Sequence, residues 1–310
     1  MLDPQARALL DLIAERGVPA THTLTPPEAR KLYRERRAFT QPNAITMAEV
    51  RDLSAPGLAG AIGMRLYRPT TVPTANAPAL VYYHGGGWVI GDLDTHDVLC
   101  RELAHRAGCV VVAVDYRLGP EQRFPAAVDD SLAATRWVHA QAGALGIDES
   151  RIALGGDSAG GNLATVTAIG LRESGGFAPR FQLLIYPGTD MRAVAPSHTT
   201  NGEGYLLTAD TIRYFRGHYI DEGQWSDWRA SPLLHPDLSK LPPALVITAG
   251  FDPLRDEGRQ YADALSKAGV PTQYVCFERQ IHGFITMGRV IDESNTAVAL
   301  AAMAVQRALA

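Results

Sequence analysis

The chain has 310 residues, of which 46% are hydrophobic, enough to bury the core of one large α/β domain with a modest insertion. Its formal net charge is −4 with acids and bases interspersed, which argues against nucleic acid as a main partner, since neutralising phosphates needs a basic face. The three cysteines, Cys100, Cys109 and Cys276, cannot all pair internally and form no C-x-x-C, so they are expected as reduced thiols in a cytoplasmic protein.

Residues 1 to about 45 read as helical and amphipathic: Ala6, Leu9, Leu10 and Ile13 recur at helical spacing with Arg7, Asp11 and Glu15 between them. They carry no basic stretch followed by an apolar one, so no signal peptide is expected. Pro26-Pro27 introduces a second, polar helix over Glu28 to Arg37. From about residue 48 the pattern changes. Arg65 to Arg68 alternates as an antiparallel strand would, and apolar runs follow at 79–83, 110–114, 183–186, 244–248 and 273–277. Helical stretches lie between them at 97–106, 126–141, 162–172 and 256–268, with a last helix from about 295 to 310. Short apolar strands alternating with helices imply a mostly parallel sheet buried on both faces. No apolar run approaches the roughly 18 residues of a membrane span. The region from about 188 to 238, rich in Tyr, Trp, Pro, Gly and His, interrupts the alternation. It reads either as a lid packed with the N-terminal helices over the strand ends or as a surface excursion with its own small core.

The most informative stretch is Gly156-Asp157-Ser158-Ala159-Gly160, between the apolar run 151–155 and the small-residue helix from Asn162. A strand, a tight turn and a helix place Ser158 at the tip of a bend, where glycines on either side let strand and helix approach closely. This is the pattern of a nucleophile elbow; the alternative is a glycine-rich helix start with a capping serine. A P-loop would need a lysine after the glycines, and none follows.

A serine hydroxyl needs a base, and the base an orienting acid. In a sheet of this kind the partners are expected on loops after later strands, in the order serine, acid, histidine. Asp252 follows the strand 244–248 after a short turn, and His282 follows the strand 273–277 after a short loop. Of nine histidines, only His282 occupies such a loop after the acid. Asp256 is the rival acid, at the expected start of a helix, where a carboxylate suits the dipole. His84-Gly85-Gly86-Gly87-Trp88 directly follows the strand 79–83, and its bare backbone N–H groups could face a developing oxyanion together with that of Ala159. No H-E-x-x-H is present and the histidines are dispersed, so no metal site is expected.

Taken together, these motifs resemble the hormone-sensitive-lipase-like carboxylesterases (bacterial family IV) of the α/β-hydrolase fold. The resemblance rests on His84 to Trp88, Gly155 to Asn162, Asp252 to Asp256 and Ile281-His282-Gly283-Phe284, with Asp115 to Leu118 and Pro120-Glu121 also fitting. It covers nearly the whole chain. It implies an α/β-hydrolase core over 46–187 and 239–310, with a mostly parallel central sheet flanked by helices, and a helical cap from 1–45 and 188–238. It implies a triad of Ser158, Asp252 and His282 and an oxyanion hole from the amides of Gly86, Gly87 and Ala159, with Gly85 a further candidate. His84 would hold its loop, and Asp115 and Arg117 would brace a turn. Family members typically hydrolyse short- to medium-chain acyl esters and need no cofactor. Two departures from the family pattern stand out: Gly119 replaces the usual alanine, and Glu278-Arg279-Gln280 stands where a glycine is common.

The expectation is therefore a cytoplasmic serine carboxylesterase acting on small-molecule esters, with no cofactor, no metal, no nucleic-acid partner and no membrane span. A homodimer is compatible with such folds. The alternatives are an amidase, lactonase or deacetylase using the same triad, or a non-catalytic ligand receptor.

Overall fold

The computed structural model describes all residues from Met1 to Ala310. Eight strands form one sheet in the order β1-β2-β4-β3-β5-β6-β7-β8. They are β1 (Glu49–Gly57), β2 (Gly60–Arg68), β3 (Ala77–Tyr83), β4 (Val110–Asp115), β5 (Ile147–Asp157), β6 (Gln182–Ile185), β7 (Ala244–Phe251) and β8 (Thr272–Ile281). The pairs β1–β2 and β2–β4 are antiparallel, and every pair from β4 to β8 is parallel.

The continuous apolar runs are explained by burial on both sides. Along β3, Ala79, Val81 and Tyr83 join one core face while Leu80 and Tyr82 join the other; β4 divides Val110, Val112 and Val114 from Val111 and Ala113 in the same way. Helices α4 (Ala126–Ala140), α5 (Ala159–Glu173) and α8 (Arg255–Lys267) cover the first face. Helices α3 (Asp97–Ala107) and α9 (Asp292–Leu309) cover the second, joined by Ala6 and Leu9 of α1 (Pro4–Glu15). Asp3 and Gln5 fasten the start of α1: the Asp3 amide donates to the Arg279 carbonyl at 2.9 Å, and the Gln5 amide group donates to Asp292 at 3.0 Å.

The second N-terminal helix, α2 (Pro26–Thr40), is opened by a capping box between Thr25 and Glu28. Its Ala29 and Tyr33 pack with Val89, Ile90 and Phe215. Phe215 belongs to α7 (Ala209–Tyr219), the main helix of the 188–238 segment, which also contains the short α6 (Ser197–Thr200). The N-terminal segment and the insertion therefore meet each other and the glycine-rich loop after β3. No helix is long and apolar enough to cross a membrane.

Several boundaries differ from the sequence expectation. The strand β1, unforeseen, is an edge strand rich in exposed polar side chains, so it carries no apolar run. The strands β7 and β8 run on to Phe251 and Ile281, so Asp252 and His282 directly follow their strands, with no intervening loop. The polar residues Glu278 and Arg279 are tolerated because β8 is the opposite edge of the sheet. Likewise α5 begins at Ala159, immediately after the serine.

Candidate active site

Ser158 joins β5 to α5 with φ 56° and ψ −117°, a backbone conformation that a non-glycine residue rarely adopts. The turn is held from outside: the Ser158 amide donates to the Ile185 carbonyl at 2.8 Å. A Cβ at Gly160 would overlap the Tyr83 and His84 carbonyl oxygens, and one at Gly156 would overlap the Gly160 main chain. Only glycine lets β3, β5 and α5 converge here. The Ser158 side chain does not cap α5. Its Oγ lies 2.9 Å from His282 Nε2 instead.

The other imidazole nitrogen of His282, Nδ1, is 2.6 Å from Asp252 Oδ2. Asp252 is fully buried, and its Oδ1 accepts from the Leu254 amide at 2.8 Å. That second bond holds the carboxylate plane, so one oxygen faces the imidazole. The Asn201 side chain donates to the Gly250 and Asp252 carbonyls, both at 3.1 Å, and so ties the insertion to the end of β7. The rival Asp256 is engaged elsewhere, accepting from the Ser197 amide at 2.9 Å and from Arg255 Nε at 2.7 Å. The Tyr186 ring packs against that of His282, tilted, with the ring centres 4.6 Å apart.

The glycine loop follows β3. Gly86 has φ 129° and Gly87 φ 58°, and a Cβ at Gly86 would strike the Ile90 carbonyl. Both glycines line the same cavity as Ser158, Ala159 and His282. Ala159 opens α5, where backbone N–H groups have no intrahelical acceptor. Gly85 differs, because its amide donates to Asp157 Oδ1 at 2.9 Å and is not free for an anion. Among the neighbours foreseen as structural, the Tyr116 hydroxyl donates to the His84 carbonyl at 2.6 Å and its ring stacks on the imidazole at 4.3 Å. Burial and the neighbouring His96 push His84 down to about 4, so it is neutral near pH 7. Arg117 closes on Asp130 through two 2.8 Å bonds, while Asp115 is exposed and has no hydrogen-bonding partner.

Three parts of the site were not read from the sequence. The first is the buried network beneath the elbow, in which Asp157 accepts from Tyr82, from Gly85 and, at 3.2–3.3 Å, contacts His96 Nε2. Burial pushes the Asp157 carboxyl up, but His96, Arg37 and Tyr82 outweigh it and hold the group below the usual carboxylate range. The second is Asn162, whose amide donates to the Gly188 and Ala230 carbonyls at 2.8 Å each and so ties α5 to the insertion. The third is Arg36 and Arg37, which stand on the cavity wall. The run Glu28 to Arg37 reads as a polar helix; only its packing shows that these two arginines turn inward.

The arrangement provides a hydroxyl, an imidazole and a carboxylate in hydrogen-bonded series, beside backbone donors. Such a series can transfer a proton from the hydroxyl as it attacks a carbonyl carbon.

The comparisons with known proteins agree. A model of an α/β-hydrolase-fold family matches residues 80–286. The chain is 42% identical to an ethyl acetate hydrolase of Pseudomonas putida over 99% of each chain. It is 40% identical to the carboxylesterase NlhH of Mycobacterium tuberculosis over 99% of this chain and 96% of that one. Among solved structures, an α/β-hydrolase enzyme from the metagenome of Lake Arreo superposes with a TM-score of 0.96 at 42% identity, covering 99% of this chain and 98% of that one. A hyperthermophilic esterase from Pyrobaculum calidifontis gives 0.92 at 39% identity, covering 100% and 99%.

Proposed function

This chain belongs to the hormone-sensitive-lipase-like carboxylic ester hydrolases of the α/β-hydrolase fold, and we propose that Ser158, His282 and Asp252 carry its reaction. Nε2 of His282 takes the Ser158 proton as Oγ attacks the ester carbonyl carbon. The tetrahedral oxyanion is met by the amides of Gly86, Gly87 and Ala159. His282 passes the proton to the leaving alkoxide, and the alcohol departs, leaving an acyl-serine. Water, deprotonated by His282, then attacks the acyl carbonyl, and the proton returns to Oγ as the acid leaves. Asp252 holds the imidazole tautomer and stabilises its charged form. The observation that carries this reading is the unbroken series Asp252 Oδ2–His282 Nδ1 at 2.6 Å and His282 Nε2–Ser158 Oγ at 2.9 Å.

The segments 1–45 and 188–238 act, in this reading, as a cap over the core 46–187 and 239–310, since Leu206, Leu207 and Phe215 of the insertion and Tyr33 of α2 share a cavity with Ser158. That cavity, about 120 Å³, suits short- to medium-chain acyl esters. The ethyl acetate activity in the name of the Pseudomonas relative lies at the short end of that range. A cytoplasmic setting is supported by the free thiols of Cys100, Cys109 and Cys276.

The test is hydrolysis of p-nitrophenyl esters of increasing acyl length by wild type and Ser158→Ala. Turnover should peak at short or medium chains and collapse in the variant. Undiminished turnover in Ser158→Ala contradicts the assignment.

A further inference from the structure

Arg36 and Arg37 occupy consecutive positions on α2 and line the cavity that contains Ser158 and His282. Arg37 is only 4% exposed. Its Nη2 donates to the Tyr33 hydroxyl, and its guanidinium carbon lies 4.5 Å from the centre of the Tyr33 ring. Its Nε and Nη1 are buried with no hydrogen-bonding partner, and so is Nε of Arg36. Neither arginine has a salt bridge to any acid, although this chain pairs most of its arginines: Arg30 with Glu121, Arg117 with Asp130, Arg192 with Asp190.

The acids on the cavity wall do not supply the missing partner. Asp190 accepts from Arg192, and Glu257 accepts from His198 and from the Thr189 and Asp190 amides. Arg37 and Asp157 feel each other's charge, but the Asp157 oxygens are taken by Tyr82, Gly85 and His96. Burial and the adjacent Arg37 push Arg36 down to about 10, which still leaves it charged near pH 7. Two cations thus stand on the wall of an otherwise largely apolar cavity, and three of their N–H donors are buried without a partner. Buried charge of this kind is strongly disfavoured unless something pairs with it.

We infer that Arg36 and Arg37 form an anion subsite that recognises a free carboxylate on the ester substrate, remote from the scissile carbonyl. A guanidinium fork matches a carboxylate through paired N–H donors. The nearby ionised Asp157 favours a monoanion over a dianion such as a phosphate monoester. The substrate class is then an ester carrying one free carboxylate, in either its acyl or its alcohol half. This inference rests on the reading of Ser158 as the nucleophile of the same cavity.

The test compares each carboxylated ester with a neutral counterpart of similar length. Mono-p-nitrophenyl glutarate against p-nitrophenyl hexanoate probes the acyl half; O-acetylglycolate against propyl acetate probes the alcohol half. Wild type should favour the carboxylated member of one pair, which identifies the half that meets the arginines. The kcat/KM ratio within that pair should fall about tenfold or more in Arg36→Gln and in Arg37→Gln, with Arg37→Lys retaining part of it. A wild type that disfavours the carboxylated member of both pairs, or a ratio unchanged in both variants, overturns the inference. A second measurement needs neither variant nor turnover: calorimetric titration of the Ser158→Ala protein with monomethyl glutarate and dimethyl glutarate. The monoanion should bind more tightly, with an advantage that shrinks as salt is added. Equal affinity refutes the subsite whatever the role of Ser158, whereas full turnover by Ser158→Ala refutes the nucleophile alone.

Discussion

Oδ1 of Asp157 accepts hydrogen bonds from the Tyr82 hydroxyl and the Gly85 amide, each at 2.9 Å, so one buried oxygen joins the end of β3, the glycine loop and the serine elbow. The group that precedes the nucleophile in sequence is therefore the tie that sets the loop against it. The folded-state carboxyl is depressed below its ordinary value, so its stabilisation is present above the unfolded-state pKa and is lost as pH falls through the folded one. Asp157→Asn should lower stability near pH 7 by about 1.5–3 kcal/mol. Its deficit against wild type should narrow on acidification below about pH 4. Denaturant unfolding at several pH values checks this.

Asp252 and Asp256 separate the orienting acid from its rival. Asp252→Asn should leave the Leu254 bond intact but favour the wrong His282 tautomer, lowering kcat by about 10³–10⁴-fold. Asp256→Asn should keep kcat within a few-fold, because that carboxylate faces Ser197 and Arg255. Steady-state kinetics of the two variants with one ester decides between them.

The elbow should tolerate no side chain at Gly160. Its Cβ would overlap two main-chain carbonyl oxygens, which cannot rotate away. Gly160→Ala should destabilise the fold by about 4 kcal/mol or more, seen as a lowered denaturation midpoint or loss of soluble protein.

Gly119 has a local reason to depart from the family's alanine. A Cβ there would stand 2.6 Å from the His218 carbonyl oxygen, at the end of α7, while Arg30 of α2 donates to the Gly119 carbonyl at 2.9 Å. The loop thus touches both segments that surround the cavity. Gly119→Ala should cost about 1–3 kcal/mol and shift α7, altering KM more than kcat. Thermal unfolding and ester kinetics measure both effects.

Much of the site could be read from the chain because its chemistry needs local signals. The glycines around Ser158 are demanded by backbone contact, and Asp252 and His282 stand at the ends of apolar strands that announce themselves. What escaped depends on distant partners. Nothing near His96 in sequence points to Asp157, and the inward-facing Arg37 looks in sequence like any polar helix residue. The strand β1 escaped for the opposite reason: at the sheet edge its side chains are largely solvated, so periodic hydrophobicity has nothing to record. The end of β7 was hidden because Gly250 reads as a turn signal, and the end of β8 because an edge strand can carry Glu278 and Arg279 without an apolar signal.

The most direct measurement is covalent labelling of wild type with an activated phosphonate ester, followed by intact mass and peptide mapping, with ester hydrolysis assayed in parallel. A single adduct on Ser158 is expected, with activity lost in proportion to labelling and no adduct in Ser158→Ala. An adduct on another residue, or an unlabelled Ser158 in protein that hydrolyses esters, would contradict it.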